Sequence, residues 1–186
     1  KEQLANNNNI SNNIFFMNSE YINFYNNLIK LTTNKSLYKG VLNKQDSFGD
    51  RLTLFLLHFA YILKAFKNDK NDKKLQELYD FNFRQLELSI REIGYGDQSI
   101  NKKMKDYINL FHSIISEIHF WNDLEFFKKK EKLSKFLHNF DDIDYLVDYF
   151  NNFSKDLSKI NLNSYLKSVN RLMPLEPAVG SVFATT

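Results

Sequence analysis

The chain reads as an all-α fold, a single compact domain of about six or seven helices, and three observations predict it. Apolar residues recur at helical spacing almost everywhere after the first dozen or so residues. No segment sustains the period-two alternation of a half-buried strand. A length of 186 residues, with 43% hydrophobic and 16% aromatic side chains, is enough to bury one real core.

Residues 1–13, "KEQLANNNNISNN", form a polar tail with neither the apolar stretch of a signal peptide nor the arginines of a transit peptide. Asn18 or Ser19 is placed to cap a first helix with Tyr21, Phe24, Tyr25, Leu28 and Leu31 as its stripe. Gly40 marks a loop or broken turn before Asp46. The second helix, about residues 46–67, contains "RLTLFLLHFAYILKAF" and is apolar on nearly every side. Only twelve residues separate Arg51 from Lys64, against the roughly 20 apolar residues that cross a bilayer. A central core helix is therefore expected. After "KNDKNDKK", Asp72 is expected to cap a third helix burying Leu75, Leu78, Tyr79, Leu86, Ile90 and Ile93. Phe81 and Leu88, one heptad apart, lie on another face.

Gly94 and Gly96 then interrupt two long helical runs within "REIGYGDQSINKKMKDY". Gly94 follows the last periodic residue, where a left-handed cap favours glycine. Asp97 is expected to cap the fourth helix, which presents Ile100, Met104, Tyr107, Ile108, Phe111, Ile115 and Ile118 to the core. Lys102, Lys103 and Lys105 mostly face outward. Two further helices are expected near 123–140 and 142–160, the latter capped by Asp141 or Asp142. Its stripe is Ile143, Leu146, Val147, Phe150, Phe153, Leu157 and Ile160. A short helix over about 163–172 ends before Pro174 and Pro177, leaving 173–186 as an irregular tail. The helical domain thus spans 14–172.

Chemistry is sparse. With no cysteine, disulfide frameworks, thiolate metal sites and cysteine nucleophiles are excluded. "GYG" lacks the preceding strand and the third glycine of a dinucleotide loop. "DDID" at 141–144 has Tyr145 where a prenyl-transfer metal motif needs aspartate, so a helix N-terminus explains it. His112 and His119 stand two turns apart, and His58 sits among Leu and Phe, which suggests a hydrogen-bonded structural role. No cofactor, metal ligand set or catalytic residue emerges. Net charge is only +3, although lysines cluster at 64–74, 102–105 and 128–135. Lys128, Lys129, Lys130 and Lys132, between aromatics in "FFKKKEKLSKFL", offer a possible contact to RNA of a ribosome or to an anionic membrane surface.

Three blocks carry a family resemblance: "FGDRLTLFLLHFAYILK", "LYDFNFRQLELSIREIGYGDQSINKKMK" and "LSKFLHNF". On these, residues 14–140 resemble the ubiquinol–cytochrome c chaperone family, the glycine-corner block being closer to its alphaproteobacterial branch. The matched positions are Phe48, Arg51, His58, Arg91, Glu92, Gly94, Gly96, Asp97, Lys102 and Met104. The resemblance implies a non-enzymatic assembly factor acting on newly made cytochrome b or an early cytochrome bc1 intermediate, together with a second assembly factor. It also implies a peripheral location at the cytoplasmic side of the bacterial inner membrane, or in the mitochondrial matrix of a eukaryote. An apolar client calls for an apolar groove. Phe55, Tyr61, Phe66, Phe81 and Leu88 are the candidates to line it. The polar motif residues Arg51, Arg91, Glu92, Asp97 and Lys102 read either as a buried clamp on the corner or as direct partner contacts. Two other classes compete: a basic RNA- or ribosome-binding module, and a small helical enzyme of prenyl-chain or quinone chemistry.

Overall fold

The computed structural model describes residues 19–38, 48–138 and 140–172. The tails at 1–13 and 173–186, the Asn18 cap, Gly40, the start of the second helix at Asp46 and the two prolines lie outside these. Among the described residues there are seven α-helices and no strand. They are α1 (19–32), α2 (Phe48–Phe66), α3 (Asp72–Glu92), α4 (Asp97–Ile118), α5 (Phe126–Ser134), α6 (Ile143–Leu157) and α7 (Leu162–Leu172). Single 3-10 turns at Lys35–Tyr38 and Trp121–Asp123 follow α1 and precede α5. No helix among these is long and apolar enough to cross a membrane.

α2 is the axis. A helix apolar all round must be covered all round, and here every residue from Leu52 to Ile62 is buried. It packs chiefly against α4 and α6, while α3 packs on α4 and α5 on α6. Aromatic rings make the joints. Phe59 stacks on Phe111 of α4 at 5.2 Å, and Tyr61 stacks on Phe150 of α6 at 4.8 Å. Phe24 of α1 meets Phe59 edge-on at 5.9 Å. Phe66 meets Tyr165 of α7 at 5.5 Å. Such pairs add roughly 0.5–1.5 kcal/mol each beyond the area they bury.

α1 closes the side that would otherwise leave α2 and α3 open. Tyr21, Phe24, Tyr25 and Leu28 are buried as the periodicity predicts, and Leu31 only partly. Polar contacts fix its register: Tyr21 donates to Glu77 at 2.5 Å, Lys74 pairs with Glu20, and Asn27 donates to the Tyr165 hydroxyl at 2.9 Å.

Several helix ends differ from expectation. Asp72 is the first residue of α3, and its preceding residue Asn71 gives no side-chain cap. Instead the Asn68 side-chain oxygen Oδ1 accepts from the Lys70 and Asn71 N–H groups, both at 3.1 Å, shaping the loop before the helix. Asp142 does cap α6, accepting from the Tyr145 N–H at 3.0 Å. The fifth helix is shorter than 123–140. After Ser134 the chain turns, which lets Leu137 and Phe140 drop into the core. Before it, Trp121 is buried, its indole N–H donating to Asn151 at 3.0 Å. Ile93 and Ile160, expected inside, lie just past helix ends and are exposed.

Candidate functional site

The corner between α3 and α4 is built from the stretch "REIGYGDQSINKKMKDY". Gly94 has φ +95°, a left-handed conformation that side chains with a Cβ disfavour. Its N–H donates to the Arg91 carbonyl at 2.9 Å, closing the end of α3. Gly96 is the residue before α4, with φ −72° and ψ 154°. That conformation is open to any residue, so the second glycine supplies no special backbone freedom. Asp97 is the first residue of α4 rather than its cap, and no side chain caps that helix.

Asp97 is engaged elsewhere. The Arg91 guanidinium donates to Glu87 at 3.0 and 2.7 Å and pairs with Asp97 across the corner. These carboxylates raise the guanidinium's already high pKa. The clamp is thus real but lies on the surface: the Arg91 and Asp97 side chains are 40% and 84% exposed. This corrects the expectation of a buried clamp. Glu92 and Lys102 are also exposed, and Met104 packs on the edge of the core. Phe48 meets Tyr107 of α4 at 6.3 Å, and Arg51 is half-buried near the start of α2.

Exposed apolar side chains lie close to this clamp in the sequence. Leu88, Ile93 and Tyr95 are 41%, 39% and 44% exposed, all within eight residues of chain. Lys103 lies over the Tyr95 ring at 4.4 Å. Phe81 is half-buried, its ring 5.7 Å from Tyr21 of α1. By contrast Phe55, Tyr61 and Phe66 are almost wholly buried. They are core residues, which corrects the expectation that they line a surface groove. α1 covers Phe55 through Tyr25, α6 and Trp121 enclose Tyr61, and α7 covers Phe66. Leu88 is the one of the five that is openly exposed. Tyr95 was not singled out in the sequence, and Ile93 was expected inside. The signal available was a pair of large apolar residues flanking a glycine that ends a helix, where periodicity has already stopped.

His58 is fully buried within the core, as a structural histidine. Its Nδ1 lies 2.7 Å from the Leu54 carbonyl, which can only accept, so Nδ1 carries the proton. Nε2 then accepts from the Tyr149 hydroxyl, also at 2.7 Å. Burial lowers the imidazole pKa to about 4, outweighing the carbonyl's opposing effect. Three aromatic rings of α6 surround it: Tyr149, Phe150 and Phe153.

The lysines of α5 are largely matched. Lys132 and Lys135 both pair with Glu117 at 2.7 Å, Lys128 pairs with Glu131, and Lys130 with Asp144. Lys129 lies over the Trp121 ring at 5.5 Å. The two lysines hold the Glu117 carboxyl below its usual range. Compensated charges of this kind give a weak field for phosphates.

A family model described as ubiquinol-cytochrome C chaperone matches residues 41–167. The match starts after α1 and continues through α6 into α7, so it includes helices that the three sequence blocks left out. No curated protein and no solved structure matches the chain.

Proposed function

The chain belongs to the ubiquinol-cytochrome C chaperone family, and from that premise we propose that it is a non-catalytic assembly factor binding newly made cytochrome b at the α3–α4 corner. The family suggests the role in cytochrome bc1 assembly. The observation that carries the corner assignment is the exposure of Leu88, Ile93 and Tyr95 around a backbone turn fixed by Gly94. Apolar side chains held in the open by a rigid turn suit an apolar client segment before it is buried in its own complex. The Arg91–Asp97 clamp and Lys103 border the patch with charge, and such a border favours orientation of the client over affinity. On this reading the protein works where cytochrome b is inserted, beside the membrane and with a second assembly factor.

The test is a tagged pull-down from mildly solubilised membranes, read by mass spectrometry for cytochrome b. A Leu88→Ser, Tyr95→Ser double variant should retain its helical circular dichroism and thermal midpoint, since both side chains are exposed. Recovery of cytochrome b should fall about tenfold, the loss of roughly 1.4 kcal/mol of apolar contact. Undiminished recovery with this variant contradicts the corner assignment.

A further inference from the structure

The end of the α3–α4 hairpin remote from the corner holds a cleft of about 640 Å³. It is formed by the C-terminus of α2, the first two turns of α3 and the C-terminus of α4, and it belongs to none of the residues discussed as client contacts. Leu63, Leu75, Tyr79 and Ile115 give it apolar walls. Lys64, Lys67 and His119 supply polar groups, with Gln76 beside them and Asp72 as the one acid in the lining. Its size is that of small-molecule sites, and its lining joins four apolar side chains to five polar ones.

The lysines are what make the cleft more than a surface dent. Nearly every lysine of α5 has an acidic partner. Among the described residues, neither Lys64 nor Lys67 forms an ion pair or a side-chain hydrogen bond. Lys64 stands on the last turn of α2, partly withdrawn from water. That burial lowers its ammonium pKa, with Asp123 acting in the opposite sense. A partly desolvated cation with no salt bridge gains more from an incoming anion than a solvated one. Asp72 does not fill this role, since it stands at the start of α3, where the positive helix end already favours it.

We propose that this cleft binds an amphipathic anion: one carboxylate or phosphate head held by Lys64 and Lys67, on an apolar tail or ring lying against Leu63, Leu75, Tyr79 and Ile115. The head faces the open lip and the apolar part lies inward. Phe120, whose ring sits 4.5 Å from His119 and is 64% exposed, extends the apolar surface next to the lip. The site does not depend on client binding and is tested without it.

Titration calorimetry on the full chain with laurate, below its micelle concentration, is the direct experiment. Saturable binding of one laurate per chain is expected. A Lys64→Gln, Lys67→Gln variant should fold normally and bind laurate about tenfold more weakly, as loss of a charge-assisted contact predicts. Dodecyl maltoside, which has a tail of nearly the same length and no charge, should bind no better to the native chain than laurate does to the variant. Vesicles of phosphatidylglycerol separate the sources. Capture on them as well as of laurate assigns the head to a lipid, capture of laurate alone assigns it to a free amphiphile, and both uphold the site. Equal affinity for laurate in the native and double-variant chains overturns it, as does displacement of laurate by inorganic phosphate at equal concentration.

Discussion

Burial holds the His58 pKa near 4 in the folded chain, whereas an unfolded histidine titrates near 6.5. Because the folded value is the lower, the unfolded chain binds the extra proton between these limits. The folded state is therefore unaffected by this group above pH 6.5 and loses stability as the pH falls from there towards 4. At pH 5 the loss relative to pH 7 is about 2 kcal/mol. Urea unfolding at the two pH values measures it, and a His58→Gln variant should show a shallower decline. Tyr61 makes the opposite case. Among the described residues no partner reaches its buried hydroxyl, and burial raises its pKa well above the usual tyrosine value. Tyr61→Phe keeps the ring stacked on Phe150 and removes an unsatisfied group, so stability should hold or rise by up to about 1 kcal/mol. The structural role of His58 was legible in the sequence because its neighbours are apolar. Its partner was not: Tyr149 lies 91 residues away, and no local pattern marks such a pairing.

The helices themselves were legible element by element, because burying a stripe imposes a spacing. α1 and α6 carry the expected residues almost in full. Their ends were read less well. Capping depends on which short side chain happens to face a free N–H, so Asp72 and Asp97 looked like caps and are not. The corner separates two glycines that look equivalent in sequence. Gly94→Ala places a Cβ at φ +95° and should cost about 1–2 kcal/mol, even though no atom obstructs it. Gly96→Ser should be tolerated, because its backbone already has the form of a capping residue. Thermal midpoints of the two variants test the distinction. α1 precedes the family match at residue 41 yet fills the core with Phe24 and Leu28. Phe24→Ala should accordingly destabilise by about 3–5 kcal/mol, as core truncations of this size do.

In the whole molecule, one long hairpin presents different chemistry at its two ends. α4 has 22 residues, so at 1.5 Å per residue its ends are about 33 Å apart. The corner end offers exposed apolar side chains near a rigid turn, and the far end offers a cleft lined by Lys64 and Lys67. The aromatic richness that suggested a groove along α2 is consumed in covering that helix on all sides, which is why Phe55, Tyr61 and Phe66 could not be told from surface residues by composition. A sequence reports how many apolar residues there are, but the packing decides which remain outside. The measurement that tests the client-binding account most directly is photo-crosslinking in cells making cytochrome b, with the crosslinker at position 95 or at position 127. Both native side chains are exposed, Tyr95 at the corner and Phe127 in α5, beyond the opposite end of α4. Client binding at the corner should give adducts to cytochrome b from position 95 and few or none from position 127. Adducts from position 127 alone, with position 95 silent, would contradict it.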